Sequence, residues 1–192
     1  MNDMLICITE RGKSQPLMER LRALGASGGT VMHGRGTASR TILSLLGLGE
    51  SRKDILLSVV ERNDIGKMVD EVRRHGSKGA VFVAKEDSNM EDKWRLVTVI
   101  VEKGYADDVM AEARKAGAKG GTIVHGHGTA NEYDAIFCGV HLVPEKEILL
   151  IVAEEETVGE IKKRISSMKC LCEKGMGVMF SVPVSDFSIL GN

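Results

Sequence analysis

One phrase in this chain is written twice, and the duplication limits what the rest can fold into. Gly25-Ala26-Ser27-Gly28-Gly29-Thr30-Val31-Met32-His33-Gly34-Arg35-Gly36-Thr37-Ala38 returns as Gly117-Ala118-Lys119-Gly120-Gly121-Thr122-Ile123-Val124-His125-Gly126-His127-Gly128-Thr129-Ala130. Ten of the fourteen positions are identical, at a constant offset of 92 residues. Self-similarity at a fixed spacing means that one structural unit is used twice. The 192 residues therefore divide into two domains, residues 1–88 and residues 93–192, with a polar linker around Met90. Units this small bury a limited share of their surface, so association is an expected source of further stability.

Within each unit the apolar pattern gives an order of elements. Met4 to Ile8 is a short apolar run, read as a buried strand. Ser14 offers a helix N-cap, Leu17, Leu21 and Leu24 fall at helical spacing, and Gly25 closes the helix. Thr30 to His33 is a second strand, a Gly/Ser/Thr-rich loop runs from Gly34 to about Lys53, and Ile55 to Val60 is a third strand. Ile65, Met68, Val69 and Val72 stripe a second helix, and Ala80 to Val83 is a fourth strand. The second unit repeats this order, with strands at 96–101, 122–125, 147–153 and 178–182, helices at 105–116 and 158–168, and a loop from Gly126 to Pro144. The expected fold class is α+β: two tandem ferredoxin-like βαββαβ domains with antiparallel sheets. The strands are apolar at consecutive positions, so the sheet face away from the helices is expected to be buried against another copy of the unit.

Composition excludes several function classes. The net charge is -1 and aromatic residues make up 4 %, which provides neither a basic field nor a stacking platform for nucleic acid. No apolar run approaches the roughly 20 residues of a membrane span. Cytoplasmic is the expectation for such a chain. The cysteines Cys7, Cys138, Cys170 and Cys172 do not repeat between the units and form no CxxC pair, so a disulfide framework is not expected.

Three glycine motifs in order carry a family resemblance. They are the Gly-Gly-Thr entry to the second strand, the Gly-x-Gly after it, and the turn Gly175-Met176-Gly177-Val178-Met179-Phe180-Ser181-Val182-Pro183-Val184. The last is similar to the B-loop of PII signalling proteins, Gly-Asp-Gly-Lys-Ile-Phe-x-x-Pro-Val, and Gly76 to Val83 is a weaker version of it. The chain thus resembles two PII-like domains in tandem. The resemblance implies a non-enzymatic regulator in nitrogen signal transduction and a homo-oligomer, a trimer. It also implies an adenine nucleotide or related anion bound between domains as effector. Long loops after Gly36 and Gly128 would touch a regulated transporter or metabolic enzyme. Val178 stands where the family carries its B-loop lysine, and Met176 where it carries an acid. That leaves room for a smaller or less charged ligand, or for a different phosphate clamp.

The candidate ligand-binding residues follow from the repeat. Gly34, Gly36, Gly126 and Gly128 can adopt positive φ and form an anion-binding nest of backbone N–H groups. Arg35 and His127 add charge between those glycines, and Thr37 and Thr129 follow them. His33 and His125 end equivalent strands, either as structural histidines bonded to backbone or as ligand contacts. Lys78 and Lys174 lie in the turns before the fourth strands and can meet phosphate. No catalytic residue is assigned, because no Ser/His/Asp arrangement and no helical His-Glu-x-x-His is present. The alternative is a metal-binding protein similar to CutA-type proteins, with His125 and His127 beside Cys170 and Cys172.

Overall fold

The computed structural model describes residues 2–37, 51–85, 93–127, 135–137, 140–142, 145–168, 171 and 177–191. The first half runs β1 (Asn2–Glu10), α1 (Ser14–Ala23), β2 (Thr30–Gly36), β3 (Ser51–Glu61), α2 (Ile65–His75) and β4 (Gly79–Ala84). The second runs β5 (Trp94–Glu102), α3 (Ala106–Lys115), β6 (Thr122–His127), a small hairpin of β7 (Ala135–Phe137) and β8 (Val140–Leu142), β9 (Glu145–Glu154), α4 (Glu155–Ser166) and β10 (Gly177–Leu190).

The architecture corrects the expectation of two tandem ferredoxin-like domains with separate sheets. The main strands form one closed antiparallel barrel in the order β1-β3-β2-β6-β9-β5-β10-β4, with β4 returning to β1. Two seams join the halves. At the first, β2 pairs with β6 through Gly34↔Val124, Arg35↔Ile123 and Gly36↔Thr122. At the second, β10 pairs with β5 over its first part and then with β4 from Val184 to Leu190. A sheet edge with unpaired N–H and C=O groups is a liability, and closure removes it. The sequence order of elements is silent about this, because a seam is made between strands far apart in the chain.

Alternation of side chains divides the core into three. Leu5, Cys7, Leu56, Val81 and Val83 face outward onto Leu17, Met18 and Leu21 of α1 and Met68, Val69 and Val72 of α2. Val97, Val99, Leu149 and Ile151 likewise meet Val109, Met110 and Ala113 of α3 and Val158, Ile161 and Ile165 of α4. The opposite faces meet inside the barrel, where Ile6, Ile8, Ile55 and Phe82 pack with Leu96, Val124 and Val184. Burying each such side chain contributes about 1.5–3 kcal/mol. This two-faced burial explains the near-continuous apolar runs, and the copy that covers each inner face is the other half of the same chain.

The strands are longer than the apolar runs at the loop side. Gly34 to Gly36 and Ser51 to Lys53, expected in the loop, extend β2 and β3 and pair in register. Ser14 is not an N-cap but the first residue of α1, and its hydroxyl donates to Asp54 Oδ2 at 2.9 Å. Among the described residues no helix is long and apolar enough to cross a membrane.

Candidate functional site

A cavity of about 350 Å³ opens at one end of the barrel. All eight barrel strands line it, through Ile8, Gly36, Lys53, Ala80, Trp94, Thr122, Val152 and Phe187 among others. Its wall is mostly apolar. Trp94 and Phe187 have ring centroids 4.6 Å apart with planes tilted by 48°, and Phe82 lies 6.4 Å from Phe187. Phe187 reaches the interior because β10 shifts register between Ser185 and Ser188. Asp186, at φ 56, takes the left-handed conformation in that bulge. Asp tolerates this conformation better than most residues.

Two lysines stand in the cavity wall. Lys119 is exposed, pairs with Glu154 at 3.2 Å and lies 6.0 Å from the Trp94 ring centroid. Lys53 is half-buried, and its ammonium donates to the Lys78 carbonyl at 2.8 Å. Burial lowers the Lys53 pKa, the charge of Lys78 lowers it further, and Glu10 across the ladder opposes the change. A partly desolvated ammonium held by a neutral carbonyl retains the capacity to bind an anion.

The repeated phrase runs along the first seam. Gly34 and Gly36 are strand residues without positive φ, as is Gly126, which corrects the expectation of an anion-binding nest there. Close approach explains Gly34 instead: a Cβ there would lie 2.3 Å from the Ile123 carbonyl oxygen. Gly126 has no such constraint, since the nearest atom would be Ile148 Cδ1 at 3.9 Å. Gly36 lines the cavity. Thr37 clamps the seam, with its N–H and hydroxyl both donating to the Gly121 carbonyl at 2.9 Å and its hydroxyl accepting from the Gly121 N–H at 2.8 Å. The Arg114 guanidinium also donates to the Thr37 carbonyl.

Arg35, His33 and His125 lie on the outer, helix-bearing face of the barrel and not in the cavity. Arg35 forks onto Asp107 of α3 at 3.0 and 2.6 Å. His33 Nδ1 lies 2.8 Å from Asp54 Oδ1, and His125 Nδ1 lies 3.7 Å from Glu147 Oε1. Each acid is buried at the start of a helix in its own half. Asp54 accepts from the Gly12 N–H and Ser14 hydroxyl, and Glu147 from the Gly104 and Ala106 N–H groups. His33 is thus hydrogen-bonded to a buried carboxylate and His125 faces one at ion-pair distance; neither contact is to the backbone. Burial opposes the charge on Asp54, yet the hydrogen bonds from Gly12, Ser14 and His33 outweigh it and hold its pKa below the usual value. Sequence reading missed this arrangement, although Asp54 and Glu147 each interrupt the start of an apolar strand in equivalent places.

Lys78 is exposed and offers the cavity wall its carbonyl rather than its ammonium. His127 is an exposed residue at the end of β6. Gly128, Thr129, Lys174, Cys170 and Cys172 lie outside the described residues. Among the described residues no group of three His, Cys, Asp or Glu side chains is placed to hold a metal ion. The cavity residues that sequence reading missed are Lys53, Lys119, Trp94 and Phe187. The repeat could point to Lys119, which is inside the second phrase, but the others converge only through barrel closure.

These features define a class: an antiparallel barrel with outer helices and an end cavity, in which Gly36, the last residue of β2, and Ser51, the first of β3, both stand in the cavity wall. The family profile of Nitrogen regulatory protein P-II matches residues 94–190. That is half of the chain, and the protein belongs to the P-II family, which supports a PII-like regulatory role in general terms. No curated protein matches the chain. Among solved structures, a mutant chlorite dismutase from Candidatus Nitrospira defluvii aligns over 96% of this chain and 91% of that one. The identity is 9% and the TM-score 0.26, and a likeness at that level carries no argument.

Proposed function

We propose that the protein is a non-enzymatic PII-like regulator. A small anionic effector, an adenine nucleotide or related anion, binds in the end cavity between the two halves and changes how the long loop meets a protein partner. The observation that carries this reading is the position of the loop roots. Gly36 ends β2 and Ser51 begins β3, and both line the cavity, so a ligand touching the wall touches both strand ends. Coupling then requires that the ligand bind one loop state better than the other. Both halves of the chain carry the family unit in this reading. The partner is a transporter or metabolic enzyme.

The test is calorimetric titration of the full chain with ATP, ADP, AMP and cyclic AMP, with and without magnesium, alongside limited trypsin digestion after Arg40. Saturable heat from one nucleotide, with a changed cleavage rate at Arg40, is the expected result. Heat without any change at Arg40 removes the loop from the mechanism, and no heat from any of the four removes the nucleotide.

A further inference from the structure

The cavity's chemistry is narrower than "small anion". Its volume of about 350 Å³ lies near the bottom of the range for small-molecule sites, roughly 300–1,000 Å³. Its described cations are Lys53 and Lys119, and Glu154 already pairs with Lys119. The other ammonium, that of Lys53, donates to a carbonyl and feels the Glu10 carboxylate across the ladder without forming an ion pair with it. Around it stand Ile8, Ala80, Leu150, Val152 and the faces of Trp94 and Phe187. A polyphosphate placed there would keep several charges without counter-charge in apolar surroundings, which is costly. A single carboxylate would be neutralised by Lys53 through a charge-assisted hydrogen bond, while a flat ring filled the apolar space.

We propose that the barrel's end cavity binds a planar aromatic carboxylate, with its ring against Trp94 and Phe187 and its carboxylate on the Lys53 ammonium. This rests on the reading that the end cavity is the effector site, and it replaces the nucleotide with a compact monoanion. Lys119 sits at the rim, where its exchange between Glu154 and the ligand carboxylate adds to binding without deciding it.

Trp94 is the sole tryptophan of the chain, so its fluorescence reports on this cavity directly. The full-length protein is titrated with 4-iodobenzoate and with the neutral 4-iodobenzamide, whose iodine quenches indole emission on contact. The acid is expected to quench saturably and to bind about tenfold or more tighter than the amide, the value of one charged hydrogen bond. Lys53→Met is expected to erase that preference and Lys53→Arg to keep it, both with unchanged circular dichroism. Equal binding of acid and amide to the wild type overturns the proposal, as does a preference that survives in Lys53→Met. Calorimetry with ATP separates this from the wider reading. Heat from ATP without quenching by the acid overturns the aromatic carboxylate and leaves a nucleotide regulator. Quenching by the acid without heat from ATP supports the carboxylate and removes the nucleotide.

Discussion

At the scale of the residue, Asp54 shows how one side chain can serve three elements. It sits in β3 with its side chain 2% exposed, receives the Gly12 N–H and the Ser14 hydroxyl from the start of α1, and meets His33 of β2. Replacing it by Asn removes the charge and leaves these donors poorly matched, which costs about 2–3 kcal/mol. The pH dependence has a definite sign. The folded pKa is lowered, so the stabilisation is complete above the unfolded value of about 3.9 and disappears as pH falls through the folded value. Calorimetric melting should therefore separate wild type and Asp54→Asn widely at neutral pH and bring them together in acid. A gap that persists at low pH would show that the carboxylate's charge contributes nothing. Cys7 contrasts with it: burial alone pushes its thiol up to about 12, and it acts as a small core hydrophobe.

At the scale of the element, the β2–β6 seam separates two glycines that look equivalent in sequence. A Cβ at Gly34 would enter the Ile123 carbonyl, whereas at Gly126 it would only touch Ile148. Gly34→Ala must part the strands and should lower stability by about 1–3 kcal/mol. Gly126→Ala keeps an allowed φ and should change it little, or raise it by about 0.4–1 kcal/mol through the unfolded chain. Paired melting temperatures decide this, and equal losses at both positions would contradict the close approach at Gly34. Much of the element order was readable, since helices at 3.6 spacing and apolar strands are local properties. The loop-side extensions of β2 and β3 were not. Gly34, Arg35, Gly36, Ser51, Arg52 and Lys53 have no apolar signal, and they are strands because partners across the ladder complete their hydrogen bonds.

At the scale of the whole molecule, closure makes the two halves interdependent. The interior cluster draws Ile6, Ile55 and Phe82 from one half and Leu96, Val124 and Val184 from the other. Separating them would expose both inner faces and four strand edges together. Thermal unfolding should therefore be a single cooperative transition. The curve followed by Trp94 emission, which reports from the second half, should coincide with the curve followed by far-ultraviolet circular dichroism. Two resolved transitions would mean that the halves fold independently and that the barrel interior adds little.

The amino-acid sequence by itself determined the duplication, the run of strands and helices in each half, and the resemblance to PII proteins that residues 94–190 bear out. All of these are written in local periodicity and in short motifs. Only the tertiary structure decided that the two units share one barrel, that the repeated glycines make a strand seam instead of a nest, and that Lys53, Trp94 and Phe187 meet around one cavity. Those outcomes depend on hydrogen bonds and packing between residues up to more than a hundred positions apart, as where Arg73 reaches Ser188, and no local pattern encodes which distant edge a strand will join.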